Sequence, residues 1–229
     1  MAETPPAPRR YVLKRAAAKS YRVDYGRELN EEQRAVVFAP DGPTLVVAGA
    51  GSGKTRTLVY RVSRLLEDGA DPASLMLLTF TNRAAREMKR RVEALAGADL
   101  ARMTAGTFHA VGARLLRSHA ELLGYHSNFS ILDSEDSKDL LESATSDLGI
   151  PVTERRFPKG DLLKDLVSFC VNTERKLADV LAADYPHFLP LADAIHAVAA
   201  RYRERKVAAN GMDYDDLLLN WRRLLVEHA

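Results

Sequence analysis

Ala48-Gly49-Ala50-Gly51-Ser52-Gly53-Lys54-Thr55 follows the apolar run Thr44-Leu45-Val46-Val47 and leads straight into a helical pattern over 54–68. Glycines in such a loop let successive backbone N–H groups converge on one point, and the start of the following helix adds partial positive charge there. A triphosphate matches both features. The pattern predicts that residues 48–55 cradle phosphates, with Lys54 reaching the β- and γ-phosphates and the Thr55 hydroxyl ligating Mg2+. Ala48 stands where the motif begins with glycine, but Gly49, Gly51 and Gly53 remain to shape the loop. The plainer reading is a glycine-rich turn with an incidental lysine. The full eight-residue pattern in a strand-loop-helix context argues against it.

Outward from the loop, a short helix is expected near 30–39. A second apolar run, Leu75 to Phe80, leads into a helix over 82–96, and a third, Met103 to Phe108, into a helix over 109–124. This βαβαβα alternation predicts an α/β domain over 29–124, a parallel sheet with covering helices. After Gly124 an extended piece, Phe129 to Leu132, ends at Asp133-Ser134, which is good helix-capping chemistry. Helical periodicity then runs through 135–148, 159–174, 187–208 and 214–227, broken around Gly149-Ile150-Pro151, Pro158, Pro186, Pro190 and Gly211. Residues 125–229 therefore read as an all-helical subdomain, with 212–229 returning toward the first domain. Residues 1–28 open with Met-Ala-Glu-Thr-Pro-Pro-Ala-Pro and read as a mobile leader.

The bulk composition is that of an ordinary globular protein, with 46% apolar and 28% charged residues. Cys170 is the single cysteine, so no disulfide can form within the chain and no Cys-based zinc site is available, which fits a reducing cytoplasm. No apolar stretch approaches the roughly 20 residues that cross a bilayer, and no signal core is present, so a membrane location is not expected. A net charge of +2 is too small to identify a polyanionic partner by itself. The basic residues are concentrated at Arg9, Arg10, Lys14, Arg15, Lys19 and Arg22, and again at Arg83, Arg86, Lys89, Arg90 and Arg91. For a charge run alone, a solvated surface is the simplest reading.

Leu29-Asn30-Glu31-Glu32-Gln33-Arg34-Ala35-Val36 precedes the phosphate loop, and Leu77-Leu78-Thr79-Phe80-Thr81-Asn82-Arg83-Ala84-Ala85-Arg86-Glu87-Met88 spans the second strand-to-helix junction. Gly106-Thr107-Phe108-His109 with Arg114-Leu115-Leu116-Arg117 spans the third. Further on come Phe129-Ser130-Ile131-Leu132-Asp133-Ser134-Glu135-Asp136 and Met212-Asp213-Tyr214-Asp215-Asp216-Leu217-Leu218. In this order the segments resemble those of superfamily 1 DNA helicases of the UvrD/Rep/PcrA type, over residues 29–229. The resemblance implies a RecA-like P-loop NTPase domain (part of domain 1A) joined to a helical 1B-like subdomain. It also implies ATP and Mg2+ as cofactors, and single-stranded DNA and its junctions with duplex as partners. The whole enzyme would hydrolyse ATP and move 3′ to 5′, as a cytoplasmic, nucleoid-associated protein; the present chain alone is expected to be a monomer.

Each match also has a physical rationale. The Gln33 amide can both donate to and accept from an adenine edge, although Asn30 and Gln33 also have capping-box spacing. The resemblance places Arg56 near the base; an exposed helical arginine is the plain alternative. Phe80 and Phe108, at the C-terminal ends of their strands, either pack in the core or stack on bases without regard to sequence. Thr81 and Asn82 would hold phosphate or sugar, with Asn82 equally suited to cap a helix, and His109 would join the same single-strand track.

Hydrolysis needs an acidic pair after an apolar strand, and usually an arginine finger. Neither is found. Asp133 ends a strand but is followed by Ser134, and Asp213, Asp215 and Asp216 open a helix, where compensation of the helix dipole is the simpler role. The chain thus reads as the N-terminal part of a longer motor that releases little phosphate on its own. The rival readings are the motor arm of a helicase-nuclease complex, a non-catalytic ATP- or DNA-binding module, and a P-loop kinase of a small metabolite. The kinase reading leaves the paired Thr-Phe-Thr-Asn and Thr-Phe-His junctions unexplained.

Overall fold

A computed structural model describes residues 20–150 and 157–228. Residues 1–19 of the leader and the break at Pro151 lie outside the described residues. The chain forms two compact units. One takes in the chain up to Met76 together with Arg86–Met103; the other takes in Leu77–Ala85 together with the chain from Thr104 onward.

The first unit is built on α1 (Tyr25–Glu28), α2 (Glu31–Val37) and α3 (Lys54–Glu67). α2 starts where it does because Asn30 and Gln33 close a capping box: the Asn30 side chain accepts from the Gln33 amide at 2.8 Å, and the Gln33 carbonyl oxygen accepts from the Asn30 amide at 3.3 Å. Val23, Tyr25, Leu29, Val37 and Tyr60 form the core of this unit. Residues 20–28, grouped with the leader by composition, are packed. The Glu67 carboxylate at the end of α3 accepts from the amides of Arg22 and Val23 and from the Tyr25 hydroxyl, at 2.9, 3.3 and 2.7 Å. Burial and these carboxylate contacts push the Tyr25 phenol well above its ordinary pKa, so it stays a donor. Later in the chain, α4 (Asn82–Ala96) buries Ala85, Met88 and Val92, spaced as one helical face.

The expected strand at 44–47 is not formed. Leu45 and Val47 are each 90% exposed, and the segment pairs with no other strand among the described residues. The apolar pattern for a buried strand is present, but a strand exists only through its ladder partners, and the described chain supplies none here.

The second unit begins with β1 (Met76–Thr79), whose remainder from Leu77 lies beside β2 (Thr104–Thr107) in a two-stranded sheet. Phe80 falls just outside β1, and α5 starts at Phe108, so neither aromatic is a strand residue. α5 (Phe108–His119) is followed by a 3-10 turn that ends at Gly124, whose φ of 82° favours glycine. β3 (Ser130–Ile131) pairs in parallel with β4 (Gly211–Met212), with Ser130 opposite Gly211 and Ile131 opposite Met212. Between them lie α6 (Ser134–Asp147), α7 (Gly160–Thr173), α8 (Leu177–Asp184) and α9 (Ala192–Ala208), and α10 (Tyr214–Glu227) follows. α8 and β4 have no counterpart in the sequence reading. The helix expected from 187 begins as a 3-10 turn, Pro186–Leu191, because Pro190 cannot donate within an α-helix. The described fold is thus helix-dominated with two small sheets.

Two cores fill this unit. Leu141, Leu163, Leu166, Leu181, Ile195 and Val198 unite α6 to α9, and Asp147 accepts from Arg201 and Arg205 at 2.8 to 2.9 Å across α6 and α9. Leu116, Leu123, Phe129, Met212 and Leu217 unite α5, β4 and α10. Arg117, in a segment resembling a DNA contact, is used structurally: it donates to the carbonyls of Ser127 and Phe129 at 3.0 Å and lies over the Phe129 ring. The α5–α10 contact is close because Gly112 meets Trp221; a Cβ there would lie 3.1 Å from the indole. Gly112→Leu is expected to destabilise this unit by about 1–3 kcal/mol, read as a lower urea midpoint with altered fluorescence of Trp221, the chain's one tryptophan.

Candidate nucleotide and nucleic-acid sites

The phosphate loop turns into α3 through two left-handed glycines, Gly51 at φ 78° and Gly53 at φ 85°. Gly53 occupies the cap position, so no side chain takes the first amides of the helix. The amides of Lys54, Thr55 and Arg56 have no acceptor among the described residues. A Cβ on Gly49 or Gly51 would meet nothing within 4 Å, so the concave side of the loop is open. A Cβ on Gly53 would lie 2.7 Å from Gln33 Nε2. Lys54 has no carboxylate partner among the described residues. Its ammonium donates to the loop's own carbonyls, Ala48 at 3.0 Å and Gly49 at 2.7 Å, and the Ser52 hydroxyl donates to Gly49 at 2.8 Å. Ala50 lies on the same exposed turn, and the Thr55 hydroxyl is exposed, with no hydrogen-bond partner among the described residues. An ammonium held by loop carbonyls, amides without acceptors and an exposed hydroxyl among the described residues form a donor set that suits a magnesium-bound triphosphate.

Of the two roles weighed for Gln33, the structure shows the capping one. Besides closing the cap of α2, it donates through Nε2 to the Ser52 carbonyl at 3.1 Å, which ties α2 to the loop. The amide keeps one further donor and one further acceptor site. Beside it runs a cleft of about 660 Å3, with Gln33, Ser52 and Lys54 at its polar end and Val36, Val46 and Leu58 on its apolar wall. Arg56 is engaged elsewhere: it donates to the Glu28 carboxylate and carbonyl at 2.7 and 2.8 Å and to the Tyr60 hydroxyl at 3.4 Å. Burial and the Glu28 hydrogen bond push the Tyr60 phenol upward.

The second unit carries the strand-end residues. Phe80 is 93% exposed, and its ring centroid lies 6.0 Å from that of Phe108, itself on the surface. Core packing is therefore ruled out for Phe80. Thr81, not Asn82, caps α4, its hydroxyl accepting from the Ala84 amide at 3.1 Å, and the exposed Asn82 side chain has no hydrogen-bond partner among the described residues. Thr107 caps α5 in the same manner at 3.2 Å. His109 meets Tyr214 edge-on, with centroids 5.3 Å apart. Sequence reasoning singled out the acidic neighbours of Tyr214 and passed over the ring. Its signal was available only as an aromatic at the first position of a helix, which has no meaning until α10 is known to pack on α5.

A family model for the UvrD/REP helicase N-terminal domain matches residues 29–229. The chain belongs to this family. Relatives include the ATP-dependent DNA helicase UvrD1 of Mycobacterium tuberculosis, 40% identical over 195 residues, and the ATP-dependent DNA helicases PcrA of Leuconostoc citreum and Staphylococcus aureus, 34% and 33% identical over 193 and 194 residues. Each match covers 83% of this chain and 24 to 26% of the relative, so the chain spans about a quarter of the length of these helicases. No helix among the described residues is long and apolar enough to cross a membrane. No cluster of three or more His, Cys, Asp or Glu among them could hold a metal ion. In this family member the two threonine caps set where the aromatic junctions sit. Thr107→Ala is expected to cost about 1 kcal/mol, measured as a shift in the denaturant midpoint.

Proposed function

We propose that this chain is the N-terminal part of an ATP-dependent DNA helicase and supplies its phosphate cradle and part of its single-strand track. The observation that carries the nucleotide half is the uncapped start of α3 behind left-handed Gly51 and Gly53, with the Lys54 ammonium held, among the described residues, by loop carbonyls alone. Lys54 would exchange those carbonyls for the β- and γ-phosphates, and Thr55 would ligate Mg2+ alongside phosphate oxygens. Residues 48–53 would offer amides, and Gln33 would use its spare donor and acceptor on adenine. Bound Mg2+ would neutralise phosphate charge. Arg56 would have to leave Glu28 to reach a base, so it is the weakest member of the set.

In the finer fold reading, Thr44–Val47 is the phosphate-loop strand of a RecA-like sheet. Leu45 and Val47, bare here, are the positions that neighbouring strands would cover. The coverage of only a quarter of each relative supports this reading, since most of such a motor lies outside the matched region. Hydrolysis, stepping and unwinding would be properties of the whole enzyme, and this chain by itself would bind with little turnover.

For the strand, exposed Phe80 with Phe108, and half-buried His109 with exposed Tyr214, form two aromatic pairs on which unpaired bases would stack. Asn82 and Thr81 would be placed to meet phosphate or sugar. Stacking fits single strands because every base has a π-face. The metabolite kinase offers no use for these pairs.

Lys54→Ala is expected to weaken Mg-ATP binding about tenfold or more while leaving oligonucleotide affinity intact, as calorimetric titration with each ligand would show. Unchanged ATP affinity would remove the nucleotide reading. Phe80→Ala should do the reverse, costing about 1–3 kcal/mol in affinity for an oligo-dT strand, measured by fluorescence anisotropy with ATP binding as the control.

A further inference from the structure

Lys206, in the last turn of α9, is 4% exposed and so cannot reach a nucleic acid. Its ammonium lies 2.5 Å from Asp213 Oδ2 and 2.6 Å from Asp216 Oδ2, and 4.4 Å from the Tyr202 ring centroid. The Tyr202 hydroxyl donates to the same Asp213 oxygen at 2.9 Å. Asp213 and Asp216 are also the two ends of the capping box that opens α10. Asp213 Oδ1 accepts from the Asp216 amide at 2.8 Å, and Asp216 Oδ2 accepts from the Asp213 amide at 3.2 Å. One buried cation thus serves two largely buried carboxylates, and the remaining negative charge sits at the positive end of the α10 dipole.

Burial works to raise the Asp213 carboxyl, but the Lys206 charge and hydrogen bond, aided by the Asp216 amide and Tyr202, hold it below the usual range. For Asp216, burial and the neighbouring Asp213 charge outweigh Lys206 and raise it. Such a buried arrangement is a poor source of net stability, because desolvation offsets most of the Coulomb attraction; an apolar substitute of similar size is often as stable. What it does enforce is position. The residue inside the clamp is Tyr214, first in α10, with its ring 54% exposed and edge-on to His109. With Asp213 and Asp216 both fixed, the backbone direction at Tyr214 is fixed too, and with it the side of α10 from which the ring emerges.

We infer that Lys206 is a positioning residue for single-strand binding: by clamping Asp213 and Asp216 around the first turn of α10, it holds Tyr214 against His109 as a stacking surface. This rests on the strand-binding reading above. Without the ammonium, two adjacent buried carboxylates repel, the capping box opens, and Tyr214 loses its fixed direction.

The test is a double-mutant cycle in the full chain, with oligo-dT affinity measured by anisotropy over a range of salt concentrations. Lys206→Met should weaken binding about fivefold or more, without changing the slope of log affinity against log salt, since no phosphate contact is lost. In a Tyr214→Ala background the same substitution should add nothing. Mg-ATP affinity, reporting on the other unit, should stay constant. Should Lys206→Met fail to fold, Tyr202→Phe removes only the hydroxyl donated to Asp213; it should produce a smaller loss that likewise vanishes beside Tyr214→Ala. Additive effects, or a Lys206→Met protein that binds DNA normally, would overturn the inference. If Phe80→Ala and Tyr214→Ala themselves leave affinity unchanged, the strand-binding reading fails instead.

Discussion

Every helix begins with amides that its own backbone cannot satisfy, and the way each start is resolved organises this molecule. At α2, α6 and α10 the solution is a reciprocal capping box, Asn30 with Gln33, Asp133 with Asp136 and Asp213 with Asp216. At α4 and α5 a threonine hydroxyl suffices. α7 and α8 also start without a side-chain cap, each after a lysine in extended conformation, so a missing cap alone marks nothing. What sets α3 apart is that the residue in the cap position is a left-handed glycine, that another precedes it, and that the neighbouring ammonium has only carbonyls for company. An anion is the one partner that would satisfy all of these groups together.

The same constraint explains why acidic residues that look catalytic are structural. Asp133 follows a short strand and Asp213 follows another, so each has the local setting of a magnesium-binding acid. Both side chains instead accept from amides one turn ahead. At Asp213 the need goes further, because the carboxylate is buried. Lys206 and Tyr202 supply the hydrogen bonds that water would otherwise give. Capping and charge pairing are here one device, and its product is the fixed start of α10.

Much of this was legible in the residues. The phosphate loop, the Asn30 and Gln33 box, both aspartate caps and most of the helices follow from local chemistry, and local chemistry is what a sequence carries. Apart from the 3-10 turn at Pro190 and the capping of α4 by Thr81, the failures were non-local. Thr44–Val47 has the pattern of a buried strand but lacks a ladder partner. Gly211–Met212 has no strand pattern yet pairs with Ser130–Ile131 from about eighty residues away. α8, eight residues without a cap, is held by Val180 and Leu181 in the core of its unit rather than by its own signals. Residues 20–28 resemble a leader in charge, but Val23 and Tyr25 find a hydrophobic site and Glu67 satisfies their donors.

The same distinction bears on the aromatic surface. From sequence, Phe80 could be core or contact, because a strand end is compatible with both. Its near-complete exposure removes the core reading, and that exposure comes from where β1 stops, at Thr79, one residue earlier than the apolar run does. Thr79 donates to the Thr81 carbonyl and Thr81 accepts from the Ala84 amide, so the chain is already turning into α4 at Phe80 and cannot carry the ring back into the sheet. Leaving a large apolar ring in water forgoes roughly 1.5–3 kcal/mol of burial. The hydroxyl groups that force the turn are therefore what leaves the ring in water.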